Sequence, residues 1–307
     1  MADLIKIGNT DVTSKKMGLG TNKVGGSNLY DVKDEDGYKV VKEALDHGLN
    51  TLDTAFAYGY GRSEEIIGDV MQGYDRSKIV IATKAAQDAN NDFKINNDPQ
   101  FLKSAVDESL KRLKTDYIDI FIIHFPDEKT PKSEAIGALN ELKEAGKIKA
   151  IGVSNFSLDQ IKEANQDGLV DLVEDNYSLV HRDAESTLFP YLRKNHISFI
   201  PYFPLASGLL TGKYSADDAK KFSKKFNQAQ FSDILAAIEK IRRVADKHEA
   251  TVTQVALAWY MKNSDISIVI PGARKSEQVD QNIKALDIEL SNTEYHFIDE
   301  AFTEFAK

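Results

Sequence analysis

The chain contains no cysteine, which rules out both a disulfide framework and a cysteine-based metal site. Tryptophan occurs once, and no low-complexity tract or linker divides the 307 residues. Basic charge is in deficit: Lys and Arg number 39 against 48 Asp and Glu, for a net charge of −9. That balance argues against a general nucleic-acid surface, because phosphate backbones select a basic stripe. It does not exclude an anionic cofactor, which needs only a few local cations and backbone amides. No apolar run approaches the roughly 20 residues of a membrane helix. The start, Met1-Ala2-Asp3-Leu4-Ile5-Lys6, lacks the basic lead and apolar centre of a signal peptide. The expectation is a soluble cytoplasmic protein, a monomer or weak homo-oligomer, with no membrane or nucleic-acid partner.

What is present is a rhythm of short apolar strands and helical stretches. The expected strands are 17–21, 49–53, 78–84, 118–124, 148–153, 169–177, 197–202 and 266–270. Helical spacing fills 34–47 (Tyr38, Val41, Leu45, then Gly48) and 63–73, and Asp98-Pro99 opens a third helix. Further helices are expected at 131–146, 158–165, 184–195, 232–248 and 251–263, with a C-terminal one at 292–305. Eight strands alternating with helices predict an α/β fold, a single (β/α)8 TIM barrel spanning 1–307 as one domain. Residues 1–16 read as a short lead-in plugging the barrel floor, and the Lys-rich stretch 213–225 as a solvated loop or, alternatively, a flap over the cofactor. Trp259 reads as helix packing against the barrel wall.

The chain is organised around Leu52-Asp53-Thr54-Ala55-Phe56-Ala57-Tyr58-Gly59-Tyr60-Gly61-Arg62-Ser63-Glu64. An apolar strand ends on a carboxylate, breaks into glycines and restarts as a helix, with Ser63 expected as its cap. Asp53 and Tyr58 thus share one mouth. A phenol is a poor acid at neutral pH, with a reference pKa of about 10. To protonate an alkoxide it needs a cation nearby, and the cation needs a carboxylate to hold it. Lys84 closes the run Ile79-Val80-Ile81-Ala82-Thr83, and His124 closes Asp119-Ile120-Phe121-Ile122-Ile123. In this reading Lys84 lowers the pKa of Tyr58, Asp53 keeps Lys84 charged, and His124 donates to a carbonyl oxygen. No nucleophile paired with an activating base is evident, and no credible metal-ligand cluster stands at the strand mouths, so acyl transfer and metal-dependent hydrolysis are not expected.

Asp53, Tyr58, Lys84 and His124, followed by Gly152-Val153-Ser154-Asn155-Phe156, resemble the motifs of the aldo-keto reductases, and in particular a bacterial inositol-operon and general-stress subgroup. The likeness runs from Met17-Gly18-Leu19-Gly20-Thr21 to Asn282. It implies reduction of aldehydes or ketones to alcohols by hydride transfer, with Tyr58 as general acid, Asp53, Lys84 and His124 completing the catalytic set, and a small carbonyl compound as substrate. It also implies that Ser154 and Asn155 bind the nicotinamide carboxamide and that Tyr202 stacks beneath the ring. Thr21, at the end of the first strand, joins the same cofactor surface.

The run Pro204 to Lys213 is similar to the family's pyrophosphate loop, with Leu205, Ser207, Leu209 and Lys213 as its contacts. After the eighth strand, Gly272, Arg274 and Lys275 precede a helix carrying Gln278, Gln281 and Asn282. A phosphate at that helix start would meet N–H donors and two cations, so the resemblance favours NADP over NAD. One position departs from the family pattern. Where a Gln is usual, three residues before Tyr177, this chain has Glu174, expected to face the nicotinamide as an anion, or else to be protonated or turned onto a nearby Lys or Arg. An alternative reading of the same fold is a cofactor-sensing regulatory subunit, against which the complete proton-transfer set argues.

Overall fold

The computed structural model describes residues 4–26 and 32–305. Residues 1–3 of the expected lead-in lie outside that range. Seven parallel strands form the central sheet: β1 (Leu19–Gly20), β2 (Thr51–Asp53), β3 (Val80–Ala85), β4 (Ile118–Ile123), β5 (Ile148–Ser154), β6 (Leu172–Asn176) and β7 (Ser198–Tyr202). Each pairs only with its neighbours in sequence, giving the order β7-β6-β5-β4-β3-β2-β1. A helical crossover between each pair makes this the parallel α/β arrangement that alternating patterns predict.

The strands are buried on both faces, and the side-chain period of two sorts their residues. One set, including Val80, Ala82, Ile120, Ile122, Ala150, Leu172 and Ile200, packs into an inner cluster. The other, including Leu52, Ile81, Phe121, Ile151 and Phe199, packs outward with the helices in the main core. The inner cluster is stoppered from below. Ile5–Lys6 pairs antiparallel with Thr13–Ser14, and Ile7 and Val12, in the turn between them, bury against the inner cluster. The expected floor plug is therefore present.

The expected eighth strand departs from regular geometry. Residues 266–272 contact both ends of the sheet: Ser267 N donates to Phe199 O at 2.8 Å, Gly18 N to Val269 O at 2.9 Å, and Val269 N to Lys16 O at 2.9 Å. Only isolated parallel bridges form, Met17 with Val269 and Gly20 with Gly272. Pro271 has no N–H to give a ladder. The approach is also close: a Cβ on Gly20 would lie 2.8 Å from Ile270 O.

Several helices differ in detail from expectation. Asp98 caps Pro99–Leu113 through Gln100 N at 2.9 Å, as its sequence suggests. The helix over 62–71 instead starts from Gly61 in a left-handed conformation (φ 92°), and Ser63 lies inside it. Pro190 divides the expected 184–195 helix into Ala184–Thr187 and Phe189–Lys194. The long helix begins earlier than expected, at Gln228, because Asn227 and Gln230 form a capping box. The Lys-rich 213–225 stretch is anchored rather than freely solvated: Phe222 stacks on Phe231 at 5.3 Å and meets Tyr214 at 4.9 Å. Trp259, fully buried, stacks on Tyr295 of the Asn292–Ala301 helix at 5.4 Å. No helix of the described residues is long and apolar enough to cross a membrane.

Candidate active site

The same period of two that fills the inner cluster delivers the polar residues to its upper end. Two residues beyond Ala82 on β3 stands Lys84, two beyond Ile122 stands His124, two beyond Leu172 stands Glu174, and two beyond Ile200 stands Tyr202. Asp53 ends β2 in register with Ala82, and Ser154 ends β5 in register with Glu174. Apolar residues thus give way to ionisable ones at the C-terminal ends of adjacent strands, where parallel α/β sheets place their chemistry.

Lys84 is wholly buried and donates to Asp53 Oδ1 at 2.5 Å and to Thr54 O at 2.9 Å. Glu174 Oε2 lies 3.3 Å from the same Nζ. Burial works against the ammonium, but the charges of Asp53 and Glu174 outweigh it and hold the lysine pKa well above its ordinary value. Lys84 is therefore a fixed cation. Its Nζ is 5.3 Å from the Tyr58 ring centroid, and that ring meets His124 edge-on at 6.1 Å.

The expected fall in the Tyr58 pKa is not found. Burial pushes the phenol above its ordinary value, and the Lys84 charge only partly opposes that, with Asp53 and Glu174 adding to the rise. Lys84 pulls the phenol down, but burial and the nearby carboxylates outweigh it. Tyr58 is consequently a proton carrier at neutral pH. His124 is held neutral, its pKa pushed down to about 3 by burial and then by Lys84. A neutral imidazole has one N–H and can donate one hydrogen bond. Its Nδ1 is buried without a partner.

A second network joins β4, β5 and β7. Asn155, at φ 61°, donates from Nδ2 to His124 O at 2.9 Å and to Ser154 Oγ at 3.0 Å. Tyr202 donates to Asn155 Oδ1 at 2.8 Å, which fixes the tyrosine ring beside the mouth. Asn is among the few residues that tolerate this left-handed backbone. The helix that follows, Leu158–Ala164, is capped separately by Ser157 with Gln160, so Ser154 and Asn155 are not used as its cap.

The Tyr58 loop is secured by residues that carry no obvious signal in the sequence. Glu64, fully buried, accepts from Thr83 Oγ1 at 2.6 Å and from Arg112 Nε at 2.6 Å. Arg112 also packs over Phe56 and against Gly61. In sequence Glu64 is an ordinary acidic first-turn residue, and only the tertiary partners reveal it. Ser63 bonds Thr21 Oγ1 and Thr54 Oγ1, both at 2.9 Å. Thr21 gives its hydroxyl proton to Asp53 O at 2.8 Å, so its side chain braces β2 and is buried.

The remaining expected cofactor residues fall in two loops. After β7, Phe203, Ala206, Ser207 and Gly208 all have positive φ, at 57°, 47°, 57° and 93°. The turn is closed by its own backbone, with Ala206 N donating to Phe203 O and Gly208 N to Leu205 O, both at 2.8 Å. Leu205 and Ser207 lie in this turn, Lys213 is exposed after it, and Leu209 buries its side chain in the core. Beyond Gly272, Arg274 and Lys275 are exposed at the start of the Ser276–Ile283 helix. Gln278 Oε1 accepts from their backbone N–H groups at 2.8 and 3.2 Å, while Gln281 and Asn282 sit in the next turn.

The family model described as Aldo/keto reductase family matches residues 16–302. The chain belongs to the aldo/keto reductase family. It is 34% identical over 284 residues to a Bacillus subtilis protein named aldo-keto reductase YhdN, covering 89% of this chain and 86% of that one. It is 34% identical over 310 residues to an Escherichia coli protein named NADH-specific methylglyoxal reductase, covering 94% and 95%. The solved glycerol dehydrogenase AKR11B4 of Gluconobacter oxydans superposes with a TM-score of 0.85 at 31% identity, over 99% of this chain and 96% of that one. As an aldo/keto reductase this chain is an NAD(P)H-dependent oxidoreductase of TIM-barrel-like fold.

Proposed function

We propose that this aldo/keto reductase reduces small aldehydes or ketones to alcohols with NADPH, and that Tyr58 is its general acid. The observation that carries the reading is the buried Asp53–Lys84 pair set beside a protonated Tyr58 and a neutral His124. When bound, the reduced nicotinamide supplies the hydride that reaches the carbonyl carbon. His124 donates a hydrogen bond to the carbonyl oxygen and orients it. Tyr58 gives its proton to the same oxygen as negative charge develops there, and Lys84 offsets the phenolate left behind. Such positioned acid catalysis contributes on the order of 10² to 10⁴ in rate.

The residues fit a dinucleotide. Ser154 and Asn155 offer a hydroxyl and an amide to a carboxamide, and Tyr202 offers a ring fixed by its bond to Asn155. The positive-φ turn holding Leu205 and Ser207, with Leu209 through its backbone and Lys213 beyond it, suits a pyrophosphate. Arg274 and Lys275, beside Gly272 and ahead of Gln278, Gln281 and Asn282, suit the 2′-phosphate of NADP. Thr21 belongs to the support of Asp53 in this reading, and Glu174 to the Lys84 cluster. The proposal further takes the chain as a single domain in which residues 266–272, bridging β7 to the strand before 21, complete an eight-stranded barrel. It places the protein in the cytoplasm as a monomer or weak homo-oligomer, within the inositol-operon and general-stress subgroup that its motifs resemble.

The test is cofactor oxidation with a panel of small aldehydes and ketones, including methylglyoxal and glyceraldehyde, and the reverse reaction with glycerol. Because the E. coli relative is named for NADH, each is run with NADPH and with NADH. Carbonyl-dependent oxidation, faster with NADPH, is expected. Tight NADPH binding without turnover of any carbonyl would replace this reading by that of a cofactor-sensing regulatory subunit.

A further inference from the structure

Glu174 stands on β6, just above the apolar inner cluster, and is 2% exposed. It shares the Lys84 ammonium with Asp53, at 3.3 Å and 2.5 Å respectively. Asp53 holds the short bond, whereas Glu174 Oε2 has no hydrogen-bond partner. Two ionised carboxylates around one ammonium would leave a buried net charge of −1. Carboxylates placed this way relieve the repulsion by keeping one proton between them. The acid with the poorer bond to the cation keeps it.

Resting on the reductase reading above, we propose that Glu174 is a proton-holding positioning residue: it enters the reaction as a neutral acid, and its ionisation shuts the reaction down on the alkaline side by turning the Lys84 cluster from neutral to negative. Reduction leaves Tyr58 as a phenolate, and the phenolate is stable only while the Lys84 field is not cancelled. Burial, then the Asp53 charge, push the Glu174 carboxyl up to about 8, inside the range where such a device operates. The groups around it are accounted for. Lys84 remains charged. Asp53, raised by burial, is pulled back down by Lys84 and by Glu174, so it is the carboxyl that ionises first. Tyr58 and Tyr202 are both raised by burial, with Glu174 contributing. His124 is neutral, and Asp175 adjoins on the chain, with its carboxyl oxygen accepting from Asn176 N. The Gln that the family pattern places here cannot ionise, so the device belongs to this chain.

The experiment has two arms. In the first, kcat for reduction of an aldehyde is followed from about pH 6 to about pH 10 in wild type and Glu174→Gln. In the second, the infrared carbonyl band of a buried protonated carboxyl is titrated in the NADPH-saturated protein, because kcat reports ionisations of the liganded enzyme. The wild type is expected to show the band at neutral pH and to lose it in step with its alkaline fall in kcat. Glu174→Gln is expected to lack the band, and its own alkaline fall should begin at least about one pH unit higher, a tenfold difference in proton activity. An alkaline limb unmoved by the substitution overturns the proposal, as does a wild type with no such band at neutral pH. Should Glu174→Gln fail to fold, a wild-type band that does not disappear with the alkaline limb overturns it alone. If no carbonyl is reduced at any pH, the reductase reading has failed, and the infrared titration still decides whether Glu174 holds a proton.

Discussion

Where the strands begin, two buried carboxylates have partners on every side. Asp119 accepts from Arg76 Nη2 at 2.8 Å, Ile81 N at 3.0 Å and Lys149 Nζ at 3.1 Å. Asp171 accepts from Lys143 Nζ at 2.7 Å and Ile151 N at 2.9 Å. Where the strands end, the same residue types are left short. Four buried side-chain polar atoms lack a hydrogen-bond partner among the described residues, and three of them, on Gln87, His124 and Glu174, belong to the mouth or the strand leading from it. Buried polar groups are ordinarily satisfied, so a cluster of unmet ones marks a place meant for a ligand or a proton. The floor has a cleft too, of about 1060 Å³, between the 9–13 turn and Lys78, Asp119 and Lys149. The carboxylate on that wall is already occupied. The floor binds strand ends together, and the mouth is kept in reserve for chemistry.

That contrast breaks most sharply at Tyr58. Tyr58→Phe preserves the ring against His124 and removes only the transferable proton. We expect kcat for carbonyl reduction to fall on the order of 10² or more while the cofactor dissociation constant stays nearly unchanged. A variant keeping more than about a tenth of wild-type kcat would remove Tyr58 from the acid role.

The floor should respond in the opposite way. Asp119→Ala leaves Ile81 N without its acceptor and two cations without their shared carboxylate. Charge-assisted hydrogen bonds of this kind contribute about 1.5–3 kcal/mol, and Lys149 is partly solvated, so a loss of about 2–3 kcal/mol in urea unfolding is expected. The folded fraction should retain wild-type kcat. A loss of kcat without a loss of stability would mean that the two ends are not separate in role.

Arg274 tests the outlying part of the cofactor surface. Arg274→Ala should weaken NADPH binding roughly tenfold or somewhat more and leave NADH binding within about twofold, since a guanidinium–phosphate contact is charge-assisted. Equal losses for both cofactors would move the 2′-phosphate site elsewhere, with Lys275 the next candidate.

How much of this was legible in the sequence follows the same division. Asp53, Lys84 and His124 could be read because each closes an apolar strand at the inward parity, and that periodicity survives translation into structure. Seven strands were legible for the same reason. The 266–272 segment was not read as irregular because its geometry depends on Gly20 and Pro271 meeting across the sheet. The direction of the Tyr58 shift was misread, since it is a balance between burial and three charges drawn from separate strands. For Glu174 the sequence leaves open an anion facing the nicotinamide, a protonated acid or a partner among the Lys and Arg residues, and which Lys it meets is a contact between β6 and β3 that no local pattern encodes. Glu64 and Arg112 were missed on similar grounds, 48 residues apart and joined only in the fold.

The smallest expected effect concerns the stability cost of keeping Glu174 in reserve. Its folded-state pKa, pushed up to about 8, stands above the ordinary glutamate value of 4.5, because burial and then Asp53 disfavour the charged form. Between those two values the folded chain binds a proton that the unfolded chain has released. Stability attributable to this group therefore falls as pH rises from about 4.5 to about 8 and stays at its reduced level above that. Glu174→Gln removes the titration. It also forfeits the attraction of Lys84 for the ionised form, which offsets part of the gain. The net expectation is a higher thermal midpoint for the variant at alkaline pH, by a few degrees at about 2–4 °C per kcal/mol for a chain of this size. The difference should shrink steadily on acidification and vanish or reverse near the lower end of the window. Thermal unfolding of both proteins across that range measures it directly. A gap between variant and wild type that is constant with pH would show that Glu174 is ionised throughout.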